Sequence, residues 1–423
     1  MATETPFEGD VYDRRKQAVI DKILLRDLTL RHKLGVVGMV GLALLPTLMT
    51  PRELSLFTSV LYVMMFAISW DVVSGYTGQL SFGHAFFFAL GGYGTTVITN
   101  QHLFPLFDQS PAALGAGWTL AVVMAGIVGG TLVAAIGGVL IGVPALRLEG
   151  PYLSLVTLIA PLLLYQFLVI FPKNLPYLAP GGLGGSNGLT DDPTQFVSGG
   201  TDSVVKVEQY WQGIVGQYYI SFLALLVVLG VCYAVTRSSA GSVFTGIRED
   251  EDAVRSVGLN PAKFKIFAFL LSAAVGGFAA AVWMHTGGYP DTESLLGQAR
   301  IDLSINVIVV AIIGGMGTIV GSIVGAILLS VTEAIVKSLS WLVIPGIGIS
   351  VAGTDPLPTF LLGMLVLVFM PEGVAPRATE AGRRYLARRR GEEVPDRGGS
   401  SAAESVISKY REEIENVLGR DNQ

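Results

Sequence analysis

The sequence predicts an all-α fold, a polytopic integral membrane bundle of about eight to ten transmembrane helices with Gly-broken segments. Three observations carry this. Hydrophobic residues make up 51% of the 423 and charged residues only 14%, where soluble domains carry about 25% charged. Apolar runs long enough to cross a hydrocarbon core recur along the chain. Lys and Arg are also distributed unevenly between the connecting segments. With a mean hydropathy of +0.58, the chain has too few charges to cover a soluble surface of its size. An ordinary globular enzyme, a disordered chain and a nucleic-acid binder are thereby excluded.

In chain order, the first 33 residues are polar and mixed in charge, unlike the basic stretch and apolar core of a cleavable signal. The N-terminus is therefore expected to stay attached. Within it, Val19, Ile20, Ile23, Leu24 and Leu28 fall at helical spacing among basic neighbours, which reads as an amphipathic helix on the cytoplasmic surface. Ten candidate spans follow, at roughly 34–50, 54–70, 80–99, 118–143, 152–172, 214–236, 264–285, 303–315, 318–340 and 357–371. The eighth and ninth could be one broken segment. With the N-terminus inside and strict alternation, 23 of the 28 Lys and Arg lie inside and 5 outside. The positive-inside rule thus sets both termini in the cytoplasm. Three regions result: a cytoplasmic N-terminal segment at 1–33, a transmembrane domain at 34–371 and a cytoplasmic tail at 372–423.

Four connecting or terminal stretches are distinctive. The outside loop at 173–213, rich in Gly and Pro, is expected to be irregular and partly packed over the helices. The inside loop, Arg237–Lys263, reads RSSAGSVFTGIREDEDAVRSVGLNPAK. Its centre, Gly246–Val257, predicts one short helix whose acidic first turn suits the helix dipole, ended by Gly258 and Asn260-Pro261. Such a charged helix either enters a groove on a soluble partner or is simply solvated. Residues 376–400 read as a charged linker. Beyond it, Val406, Ile407, Tyr410, Ile414, Val417 and Leu418 form one helical stripe, either a solvated tail helix or a partner-docking one.

The most informative segment is Asp71–Gly94, DVVSGYTGQLSFGHAFFFALGGYG. A polar, glycine-broken stretch (Gly75, Tyr76, Thr77, Gly78, Gln79, Ser81, Gly83, His84) separates two apolar runs. Non-helical backbone at membrane depth needs protein or water around it, and broken helices can present backbone groups to a solute. A plain cytoplasmic turn fits the same residue types. A second broken segment, AIIGGMGTIVGSIVGAIL (311–328), and the ridge Gly126, Gly130, Ala134, Gly138 and Gly142 place small residues where helices approach closely. Phe86, Phe87 and Phe88 read as packing.

Ionisable side chains within the apolar runs are few, Asp71 and Glu333 among them, and are functional candidates by default. No relay of carboxylates or histidines suits proton coupling. The single Cys232 and the scattered His32, His84, His102 and His285 give neither a disulfide nor a metal site. There is no catalytic constellation and no sign of a cofactor. No GxxxxGK[ST] loop is present, so if ATP drives any process here, another polypeptide hydrolyses it.

At these segments the sequence resembles the LivM-type permease subunits of branched-chain amino acid ABC transporters. The resemblance lies in SGYTGQLSFGHAFFFALGGY (74–93), GGLGGSNGLT (181–190), GIREDEDAVRSVGLNPAKFKIFAFLLSAAVGGFAAAV (246–282) and GGMGTIVGSIVGA (314–326). It covers roughly 60–370 and omits both tails. It implies a permease subunit in the membrane lipid, paired with a second permease of the LivH type. Two cytoplasmic ATP-binding subunits and an extracytoplasmic substrate-binding protein would complete the system. It also implies that the 246–260 loop is the ATPase-coupling element, where Arg248, Glu249, Asp250, Glu251, Asp252 and Gly258 stand here. Gly75, Tyr76, Thr77, Gly78, Gln79, Ser81, Gly83 and His84 are the candidates for the translocation pathway. Close relatives carry urea or short amides, so those substrates stay open. The contrasting reading is a self-contained secondary transporter or channel, against which the scarcity of membrane-embedded charge counts.

Overall fold

The computed structural model describes residues 30–107, 114–146, 152–170, 179–180, 182–183, 189, 194–198, 203–206, 210–287, 300–338, 357–370 and 372–390. The expected helices at 13–30 and 401–418 lie outside, apart from residue 30. The chain divides into two packing units, Met1–Leu54 and Ser55–Gln423.

In the first unit, α1 (Leu30–Leu44) runs into a 3₁₀ turn, Leu45–Thr47. The next helix, α2 (Pro51–Thr77), starts on a capping box. The Thr50 amide and hydroxyl both donate to Glu53 Oε2 at 2.8 Å, with Pro51 in the first helical position, where its missing N–H is not needed.

Among its described residues the second unit is helical apart from one small ribbon and the connecting turns. After α2 come α3 (His84–Thr96), which continues as a π-helical stretch Val97–Leu103 and a 3₁₀ turn Phe104–Phe107, α4 (Ala116–Ala145) and α5 (Tyr152–Ile170). Strands β1 (Gln195–Ser198) and β2 (Ser203–Lys206) pair in parallel. Then follow α6 (Tyr210–Thr236), α7 (Ser239–Glu249), α8 (Glu251–Ser256) and α9 (Pro261–Met284). The last described helices are α10 (Arg300–Gly314), α11 (Ile319–Ser338), α12 (Leu357–Phe369) and α13 (Val374–Arg390). Each of the ten expected apolar segments contains a helix. Among the described residues six helices are long and apolar enough to cross a membrane. The eighth and ninth segments are separate helices, parted at Gly315–Thr318.

The helices α3, α4 and α9 pack most closely, and small residues explain why. A β-carbon on Gly91 would overlap the Gly277 backbone, one on Gly277 would overlap Ala134, and one on Gly130 would overlap the Gly91 carbonyl. On α4 the opposite stripe, Met124, Val128, Leu132, Ile136 and Leu140, is exposed. Small residues inward and large apolar residues outward is the pattern expected where the solvent is lipid rather than water. The most apolar window of α2 is 78% buried and that of α9 61%, against 28% for α5. Thus α2 and α9 are central and α5 peripheral.

Three expectations change. The helix expected at 80–99 begins only at His84, because residues 78–83, opened by Gly78 at φ of 73°, are non-helical. The single helix expected at 246–257 is two, divided at Asp250. The Asp250 side chain leaves the helical path to accept the Asp252 and Ala253 amides at 2.9 and 3.0 Å, a strong N-cap. The charged linker expected from 376 is helical to Arg390, where Pro376 packs on Gly315 and Ala375 and Ala387 are buried.

Candidate functional site

The two glycine-broken segments and the α7–α8 loop meet at one end of the bundle. Gly317, in the α10–α11 turn, donates its amide to Asp71 Oδ1 at 2.7 Å. From α7, Arg248 Nη1 donates to the Gly75 carbonyl at 2.8 Å. The Arg248 guanidinium and the Thr318 amide also lie near the buried Asp71 carboxylate. A carboxylate this deep needs such groups, because burial without them is costly. Gly75 has no room for a side chain, since a β-carbon would overlap Asp71 Oδ1 and the Gly317 amide. Gly317 and Gly315 adopt φ of 76° and 115°, which side chains rarely allow. The Tyr76 hydroxyl faces Thr236 at the end of α6 and the Ile319 amide at the start of α11.

The break itself is confined to 78–83, and side chains satisfy its backbone. Gly78, with φ of 73°, ends α2 by donating to the Ser74 carbonyl at 3.1 Å. Ser74 Oγ donates to the Gln79 carbonyl and accepts the Ser81 amide. Trp70 Nε1 donates to the Ser81 carbonyl at 2.7 Å. Ser154 Oγ donates to the Leu80 carbonyl, and the Phe82 amide donates to Thr157 Oγ1. Protein groups thus pair much of this non-helical backbone, while Gly78 and Leu80 stay exposed at the end of the bundle.

The pathway candidates separate into two groups. Gly75, Tyr76 and Gly78 lie against or beside Arg248, the α6 end or the 315–318 turn; Gly78 is itself exposed and Gln79 half-buried. Thr77, Ser81, Gly83 and His84 are buried. Thr77 Oγ1 donates back to the Val73 carbonyl at 2.6 Å, and Gly83 abuts the Thr157 carbonyl. His84 Nε2 lies 2.9 Å from Ser69 Oγ and 3.2 Å from Ser272 Oγ, with its ring edge-on to Phe87. Ser69 and Ser272 also donate to each other's backbone carbonyls at 2.7 and 2.6 Å. The four groups in the α7–α8 acidic run differ. Asp250 is the N-cap of α8. Glu251 pairs with Lys265 and, at 2.7 Å, with Arg255. The side chains of Glu249 and Asp252 are 70% and 88% exposed. Gly258 turns the chain with φ of 83°. Beside it Val257 and Leu259 are exposed, two apolar residues that the sequence reading missed. Their signal was present as isolated hydrophobics in a charged loop.

At the other end, the Phe196 amide donates to the His285 carbonyl, His285 Nδ1 lies 2.7 Å from the Thr194 carbonyl, and Gln195 Nε2 donates to the Met284 carbonyl. The ribbon is thereby anchored to the end of α9. No group of His, Cys, Asp and Glu among the described residues could hold a metal ion.

Comparison with known proteins gives one family. The model of the family described as "Branched-chain amino acid transport system / permease component" matches residues 53–370. The chain is 27% identical over 370 residues to the high-affinity branched-chain amino acid transport system permease protein LivM of Escherichia coli (strain K12), covering 82% of this chain and 76% of the relative. It is 23% identical over 322 residues to BraD, a permease protein of the same description from Pseudomonas aeruginosa, covering 74% and 91%. A shorter match, 26% over 161 residues, reaches the fructose import permease protein FrcC of Rhizobium meliloti, covering 36% and 41%. No solved structure matches the chain.

Proposed function

The chain belongs to the family of branched-chain amino acid transport system permease components, and from that premise we propose how this multi-pass membrane protein works. It moves leucine, isoleucine and valine inward as one permease of an ABC importer. It pairs with a second, LivH-like permease, takes substrate from an extracytoplasmic binding protein, and is driven by two cytoplasmic ATP-binding subunits. Both termini are cytoplasmic. Residues 34–371 form the translocating domain, with the 1–33 and 372–423 segments on the cytoplasmic side.

One observation carries the coupling part of this reading. Arg248 reaches from α7 to the Gly75 carbonyl while Asp71 of the same helix holds the Gly317 amide. A push on α7–α8 therefore bears on α2 and on the α10–α11 turn together. The exposed tip, with Glu249, Asp252, Val257 and Leu259, is the surface that enters the ATP-binding subunits. Asp250, Glu251 and Gly258 hold its shape. The segment 75–84 forms the wall of the path, with Thr77, Ser81 and His84 packed behind it. Sidedness is supported by the contacts within the second unit. Residues 75–78, 248, 315–317 and 373–376 gather together, as strict alternation of the spans requires.

The test is uptake of radiolabelled leucine by vesicles holding the full complex and its binding protein. Uptake is expected only with ATP on the side that carries the ATP-binding subunits. Glu249→Lys with Asp252→Lys should lower it at least tenfold while the permease remains in the membrane. Uptake that needs no ATPase, or that the double variant leaves unchanged, contradicts the reading.

A further inference from the structure

The helix α13 presents a basic face that the proposed coupling does not use. Its 17 residues, VAPRATEAGRRYLARRR, hold six arginines and one glutamate. One side packs inward: Gly373, Ala375 and Ala387 are buried, and Pro376 lies on Gly315. Arg377, Arg384 and Arg388, at spacings of seven and four, fall on one stripe beside it, with Arg388 exposed and the other two half-buried. Exposed Tyr385 and Arg389 widen it, and Arg384 is tied to Glu380.

The position of this face indicates what it meets. Leu367, Val368 and Phe369, the last residues of α12, are exposed and apolar. Only four residues separate Phe369 from Val374, and the turn at Gly373 has φ of 86°. The basic stripe therefore starts within a few residues of the edge of the hydrocarbon core. Guanidinium groups with a tyrosine at that depth match anionic headgroups in charge and amphipathic character. A protein partner already has a better-suited surface in the apolar and acidic tip of α8. We propose that α13 binds anionic phospholipid headgroups, and that this contact, through Pro376 on Gly315, sets the 315–318 turn whose Gly317 amide Asp71 holds. The second half of the proposal rests on the coupling reading above.

The lipid surface is tested on the detergent-purified full chain, by the amount of phosphatidylglycerol it retains. The variant is Arg384→Gln with Arg388→Gln and Arg389→Gln; the control replaces the same three with Lys. A basic residue near an anionic surface contributes about fivefold in affinity, so the Gln variant should retain at least tenfold less and the Lys variant most of it. Equal retention by wild type and the Gln variant overturns the proposal. So does loss of the ATP-binding subunits from the Gln variant, which makes the face a protein dock. The second half is tested with the complex in phosphatidylcholine vesicles with or without phosphatidylglycerol. ATP-driven leucine uptake by wild type should rise severalfold with phosphatidylglycerol, and the Gln variant should not respond. An equal response overturns the link to the turn. If no lipid gives leucine uptake while retention still depends on the arginines, the transport reading fails and the lipid surface stands.

Discussion

Gly75 is where three separate parts of the chain touch. Its carbonyl takes Arg248, and its missing side chain makes room for Asp71 and the Gly317 amide. Gly75→Ala should therefore displace backbone rather than a flexible tip, and overpacking of this kind costs about 1–3 kcal/mol. A lowered thermal midpoint in detergent checks this. Gly230→Ala, in α6 where a β-carbon would meet nothing, should leave the midpoint unchanged or raised. A Gly75→Ala protein as stable as the Gly230→Ala control would sink the packing account. At this scale the sequence marked Asp71, Gly75 and Arg248 one by one. It did not show their joining, because 173 residues separate Arg248 from Gly75 and 246 separate Gly317 from Asp71. His84 stood out by type and position, yet its partners Ser69 and Ser272 come from two other helices. Nothing local predicts that pairing.

Among the elements, those with a repeating pattern were legible. The four-residue spacing of Gly126, Gly130, Ala134, Gly138 and Gly142 named the inward face of α4 from sequence, and the structure packs it on α3 and α9. Replacing Gly130 with Leu should separate α4 from α3, seen as loss of monodisperse protein. Leu132→Ile on the lipid-facing stripe should keep the elution profile of the parent. Matching profiles for the two would mean that the small-residue face does not hold the helices together. Elements built on tertiary contact were not legible. The run of arginines in α13 reads as a charged linker because its helix depends on Pro376, Ala375 and Ala387 packing on the bundle. The break between α7 and α8 was hidden because the capping residue, Asp250, is one of four consecutive acidic residues.

Across the whole molecule, composition was enough for the fold class, because a chain with so little charge has few ways to fold other than as apolar helices in lipid. The order of the spans also followed from hydropathy alone. The meeting point of the two glycine breaks and the α7–α8 loop required coordinates, and the central claim attaches to it: Arg248 and Asp71 join the ATPase-facing loop to α2 and the α10–α11 turn. The most direct measurement is the number of leucine molecules moved per ATP hydrolysed by the reconstituted complex. Arg248→Ala should keep hydrolysis within about twofold of wild type and cut leucine moved per ATP about tenfold or more, the size of a lost charge-assisted hydrogen bond. Arg248→Lys, which keeps a donor, should restore part of it. An Arg248→Ala complex with the wild-type ratio of transport to hydrolysis would contradict the account.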